Sequence, residues 1–241
     1  MLGDFTLTKC SVVQLRTKFP LVTLCAVAVV MAIGCGPATH SEPRYNGRTL
    51  SEWLVEYKAA EKTGGTRETN ATTAICAIGS NATPFLVKWI NVSYTAPERI
   101  MDLIGFGFGR PYTPPRLARA NRAMRAFQIL GTNAAPAIPG LMNIVMQYKQ
   151  LNEAAINARY ALVYIGPPGV AALSMLATNR STPLRFDTVL ILGTSCRTGG
   201  SDEAKPALIN CLSDPDPDVR YAAGCGLAEI ARQDEHRATA K

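Results

Sequence analysis

The chain has 241 residues, 47% of them hydrophobic and 18% charged, enough apolar material for a continuous core and too much for a disordered segment. Net charge is +7, and Lys9, Arg16 and Lys18 against Asp4 lie in the first 34 residues, so the remainder carries +5, too mild an excess to mark a nucleic-acid binder by itself. Only two histidines exist, His40 and His236, both outside the expected helical body, which argues against Ser–His or Cys–His catalysis on a rigid scaffold.

Residues 19–35, FPLVTLCAVAVVMAIGC, are uncharged and follow a basic stretch. Their apolar core is shorter than the roughly 20 residues that span a bilayer and suits the core of a signal peptide over 1–34. It ends in Ala32-Ile33-Gly34-Cys35, small residues before a cysteine that resemble the lipobox of bacterial lipoproteins, with Ala32 where that pattern has Leu. The resemblance implies a lipidated Cys35, membrane attachment through that lipid, and an exported, envelope-located chain. An uncleaved signal anchor and an ordinary secretory signal are the open alternatives. Residues 35–44, polar and Pro-containing, then read as the lipidated cysteine and its tether.

From Asn46-Gly47 a turn leads into Thr49, with Glu52 three residues on, the pattern of a capping box. Leu50, Trp53, Leu54 and Tyr57 then share one helical face. AICAIGSNATPFLVKWI (74–90) and AFQILGTNAAPAIPGLM (126–142) have one form: apolar helix, Gly, small polar pair, Pro, apolar helix. A glycine past a helix end reaches left-handed backbone, and a proline at a helix start gives up an amide that would be unpaired anyway. ALVYIGPPGVAALSMLA (161–177) and DTVLILGTSCRTGGSDEAKPALINCL (187–212) repeat the theme, the latter with a loop from Gly193 to Pro206. In DPDPDVRYAAGCGLAEIA (214–231) a face of Val219, Ala222, Ala223, Leu227 and Ile230 follows Asp218, which we expect to cap that helix. Each pair is too apolar to stand alone, so neighbours must stack.

The segment LSDPDPDVRYAAGCGLAEI (212–230) and the Gly-to-Pro turns resemble HEAT-type repeats. YNGRTLSEWL looks like the segment that precedes such arrays in exported bacterial proteins. The resemblance implies an all-α fold, an alpha-alpha superhelix (solenoid) of about four to five helical hairpins over 45–235, with a tail at 236–241. A non-repeating helical domain is the alternative, and the uneven spacing of Gly79, Gly131, Gly166 and Gly193 speaks for it. The resemblance further implies a non-catalytic scaffold that binds a protein partner. Its alternatives are a bilin-lyase-like relative or another anion- or nucleic-acid-binding helical-repeat protein, against which the export signal argues. No cofactor, nucleic acid or small-molecule substrate is expected.

Two features stand apart. IMDLIGFGFGRPYTPPR (100–116) holds three Gly and three Pro, and we expect a loop insertion at 103–116. Phe106, Phe108 and Tyr112 there contact a partner or fold back over a helix edge. Arg110, Arg116, Arg119, Arg122 and Arg125 fall in a stretch, 103–126, without one acid. The last four lie within about half a helix circumference, as an anion-facing stripe or as a solvated face opposite Leu117, Ala120, Met124 and Phe127. Cys76, Cys196, Cys211 and Cys225 match no zinc-ligand spacing and read as buried small hydrophobes. The alternating Asp214, Asp216 and Asp218 lack the glycine and distal Glu of a calcium loop.

Overall fold

A computed structural model describes residues 41–61, 64–109 and 112–239, leaving aside the side chains at 196 and 197. The signal-peptide and Cys35 readings lie outside these residues. The body from Glu42 onward is all-α apart from one short ribbon. Strands β1 (Arg44–Tyr45) and β2 (Arg48–Thr49) pair antiparallel, turning through Asn46 at φ 48° and Gly47 at φ 77°. Positive φ at both central residues matches the twist of a two-residue hairpin.

The ribbon feeds helix α1 (Leu50–Ala60), where the Thr49–Glu52 capping box forms as expected. The Thr49 amide donates to Glu52 Oε2 at 2.6 Å and the Glu52 amide to Thr49 Oγ1 at 3.3 Å. Trp53, buried on this helix, donates its indole N–H to the Tyr45 carbonyl at 3.0 Å and so ties ribbon to helix. The helices that follow are α2 (Thr66–Ile78), α3 (Thr83–Ile90), α4 (Ala96–Gly107), α5 (Pro115–Leu130), α6 (Ile138–Gln147), α7 (Glu153–Ile165), α8 (Pro167–Thr178), α9 (Arg185–Leu192), α10 (Ser201–Cys211) and α11 (Pro217–Thr239).

The expected Gly turns are short 3-10 segments, Gly79–Ala82, Gly131–Ala137 and Gly193–Thr198. Gly79 (φ 58°, ψ −137°), Gly131 (φ 50°, ψ −128°) and Gly166 (φ 87°, ψ −151°) all have positive φ. Their ψ is extended, outside the left-handed helical well, in territory that only glycine enters cheaply. Gly193 differs, with φ −59°. A Cβ there would lie 2.5 Å from the Gly226 Cα, so this glycine is required by the crossing of α9 and α11 and not by a turn.

Packing runs along the chain: α1 on α2, α3 on α5, α6 on α7, α8 on α9 and α10 on α11, while the first two Gly turns lie against each other. One core unites Leu54, Ile75, Leu86, Phe127, Leu141, Leu162, Leu173, Leu192, Leu208 and Ile230. Alanine is frequent in it, which lets helix axes approach closely. Among the described residues one stretch, Pro115–Gln147, is long and apolar enough by length and composition to cross a membrane. It comprises α5, its Gly turn and α6, and it gives Phe127, Leu130, Leu141 and Val145 to this core.

Several local expectations are corrected. The 103–116 loop is shorter, because α4 runs to Gly107 and α5 starts at Pro115. A capping box from Thr95 and Glu98 and a proline in the first turn launch α4, and its two interior glycines weaken it by about 1 kcal/mol each without breaking it. Pro206 does not begin a helix but lies inside α10, which starts at Ser201 and forgoes one backbone bond there. The cap of α11 is Asp216, whose Oδ1 accepts the Asp218 amide at 2.9 Å, with Pro217 at the first helical position. That helix continues to Thr239 through the segment expected as a tail, since nothing after Gly226 breaks it. Cys211 is buried as expected, whereas Cys76 and Cys225 are exposed free thiols.

Candidate functional site

The arginines of the acid-free stretch separate into different environments. Arg110 lies outside the described residues. Arg116 is half-buried; it grips both carboxylate oxygens of Glu98 on α4 and donates to the Ser93 carbonyl at 2.8 Å. That hydrogen bonding, with further bonds from Thr95, holds the Glu98 carboxyl down at about 2. Arg116 is therefore a clamp between α4 and α5. Arg119 places its guanidinium carbon 5.7 Å from the centroid of the Trp89 ring, close enough for a cation–π contact.

Arg122 and Arg125 open onto a cleft of about 460 Å³ between α1 and α5, lined by Lys58, Thr113, Asn121, Arg122, Met124 and Arg125. Glu61 answers two of these cations: it pairs with Lys58 and, at 3.2 Å, with Arg125. Arg125 also donates to Gln128 at 3.1 Å. No acid among the described residues pairs with the half-buried Arg122. Partial burial, and then the like charge of Arg119, push its guanidinium below the ordinary value. Both effects disfavour the charged form, and an incoming anion relieves both. The cleft thus sets three cations against one carboxylate.

The aromatic residues divide in the same way. Phe106, at the end of α4, and Phe108, just after it, are 75% and 82% exposed, so neither folds back over a helix edge. Tyr112 is half-buried and its carbonyl accepts the Tyr94 hydroxyl at 3.4 Å, which makes it part of the seam under α4. No cluster of three or more His, Cys, Asp or Glu side chains suited to a metal occurs among the described residues. His236 lies on the exposed end of α11.

Sequence reasoning missed Lys58 and Glu61, which face the arginines from another helix. It also missed Arg159, a fully buried arginine on α7. An isolated arginine among alanines carries no signal of burial. Models of known protein families and the curated proteins give no match to this chain.

Proposed function

We propose that this protein is a non-catalytic, HEAT-like helical-repeat scaffold, held at the bacterial cell envelope, that binds an acidic segment of a protein partner in the cleft between α1 and α5. The observation that carries this reading is the excess of cations at Lys58, Arg122 and Arg125, with Arg122 partly desolvated and unpaired among the described residues. Guanidinium forks recognise carboxylates with two parallel bonds, so Arg122 is the specificity element and Lys58 supplies a steering charge. Helical units that pack on their neighbours, and Gly turns that lie on one another, support the solenoid part of the reading, and such arrays offer extended surfaces to partners. The export-type leader and Cys35 support the address.

The test is site-specific photocrosslinking from Asn121, at the cleft, and from Thr73, exposed on α2, in cells that make the full chain. The expected result is one protein adduct from Asn121, absent from Thr73 and lost in Arg122→Glu while the thermal melt is retained. Adducts indifferent to Arg122→Glu would overturn the assignment. Binding of duplex DNA that Arg122→Glu abolishes would replace it with the nucleic-acid reading.

A further inference from the structure

Helix α4 is amphipathic with its faces reversed relative to a core-packing helix. Its polar edge faces the protein: Glu98 bonds Arg116 of α5, and Arg99 reaches Glu153 of α7 at 3.2 Å. Glu153 in turn accepts the Tyr94 amide at 3.2 Å. Asp102 is half-buried beside Tyr94, and after burial its charge helps push the Tyr94 phenol above the ordinary range. A step of about 100° per residue carries Ile100, Met101, Leu103, Ile104 and Phe108 away from that edge. All are more than half exposed, Leu103 at 73%, and no residue of α4 is buried. Soluble helices bury the apolar side and leave ion pairs in water; this one does the opposite.

We propose that α4 lies in the headgroup region of an anionic lipid bilayer, with Ile100, Leu103, Ile104 and Phe108 inserted. The outward face carries no hydrogen-bonding side chain, so it offers a protein partner area without register, whereas a bilayer asks only for apolar area. It is a protruding ridge, not a groove. At twelve residues and about 18 Å it is too short to span the roughly 30 Å hydrocarbon layer, which leaves the interface. Charge agrees: the chain from 103 to 126 has five arginines and no acid, and Arg119 is exposed one turn along α5 from the clamp residue Arg116. Basic residues beside an inserted apolar face are attracted to anionic headgroups. Six residues, 36–41, separate Cys35 from Glu42, a reach of about 25 Å when fully extended, so a chain held at Cys35 keeps this body near the surface. The proposal goes beyond the cleft reading and does not depend on it.

The experiment uses the full chain in vesicles of phosphatidylcholine and phosphatidylglycerol. Tryptophan replaces Ile104, and in a second protein Tyr221, which is 70% exposed on α11. Lipids brominated along the acyl chain quench only a tryptophan within the bilayer, and emission is compared with the unsubstituted chain to subtract Trp53 and Trp89. The expected result is strong quenching and a blue shift for I104W, none for Y221W, and a loss of quenching by half or more when Ile100→Asp is added. Retained quenching in neutral vesicles would overturn the anionic part. Absent quenching at Ile104 in vesicle-bound protein would overturn the proposal outright. A lipid-independent blue shift that grows with protein concentration would assign the face to a second copy instead.

Discussion

Removal of the Arg159 side chain tests the packing logic most directly, because this guanidinium is fully buried with no carboxylate in ion-pair contact among the described residues. Its Nε donates to Thr188 Oγ1 at 2.8 Å, Nη1 to the Ala155 carbonyl at 2.8 Å, and Nη2 to the Pro183 carbonyl at 3.0 Å. Burial lowers its affinity for the proton, and the nearby Asp187 charge only partly opposes this. The fork joins α7 to the entry of α9, where Leu184 sits at φ 53°, a left-handed conformation that costs a non-glycine residue about 1–2 kcal/mol. In Arg159→Met the stem volume stays and the donors go. The Leu184 carbonyl keeps its bond from the Thr188 amide, so the Pro183 carbonyl is the main orphan, worth about 1–3 kcal/mol. Relief of the buried charge offsets part of that, and we expect a net loss of about 2 kcal/mol. Arg159→Ala adds a cavity and should reach about 4–5 kcal/mol. Arg159→Lys should be worse than Met, since a buried ammonium cannot span three acceptors in one plane. Urea unfolding followed by helical circular dichroism reads these as midpoint shifts, about 1 M for Met at a slope near 2 kcal/mol/M. A lysine variant as stable as the native chain, or an alanine variant within about 1 kcal/mol of it, would refute the bridging role.

Glycine positions give a matched pair. Gly193→Ala should lower the melting temperature by several degrees, because its Cβ would meet the Gly226 backbone at 2.5 Å and overpacking costs about 1–3 kcal/mol. Gly224→Ala on the same α11, with nothing within 4 Å, should stabilise by up to about 1 kcal/mol; equal effects would show that the crossing is looser than described. Thr49→Ala should cost about 1 kcal/mol through loss of the α1 cap, read as reduced midpoint urea, with Thr49→Asp largely restoring it. For Glu98, the folded carboxyl at about 2 against an ordinary value of 4.5 means that it binds its proton less readily when folded. Its contribution is complete above pH 4.5 and vanishes as pH falls towards 2. The melting difference between native chain and Glu98→Gln should accordingly be constant from pH 7 to 5 and close below that; a difference independent of pH would remove the Arg116 clamp from the account.

The parts of the fold that sequence made legible are those written in local chemistry. Thr49 and Glu52 announce a cap, Asn46-Gly47 a hairpin turn, and Leu50, Trp53 and Leu54 a buried face, and each is found. The glycines at 79, 131 and 166 signal positive φ, though their extended ψ depends on the 3-10 turns that follow. Gly193 looked identical in sequence, yet its cause is a helix 33 positions later in the chain, which no local pattern records. Asp218 and Asp216 stand in the same alternating run, and the proline between them decides which is the cap. The arginine stripe was legible as a cluster. Its division into a clamp, a stacked cation and a cleft was not, because Glu98, Trp89 and Lys58 come from other helices.

Helix α4 shows why an outward apolar face escapes a reading of periodicity. The pattern of Ile100, Leu103 and Ile104 against Glu98 and Asp102 is that of any half-buried helix, and period alone says which residues share a side, not which side faces in. The choice is made by partners distant in sequence. Arg116 and Glu153 present charge to α4 where a core helix would present leucine, and that fixes the polar edge inward. A direct consequence is that the orientation is held by two ion pairs and not by apolar burial. Arg116→Leu together with Glu153→Leu should therefore let α4 roll its apolar side onto α5 and α7. Limited proteolysis after Arg99 should then slow, and hydrogen exchange along α4 should fall, whereas ion pairs without an orienting role would leave the helix more open than before. An increase in α4 exchange in the double variant would show that apolar surface there is exposed by shape alone, with no contribution from the charges beneath it.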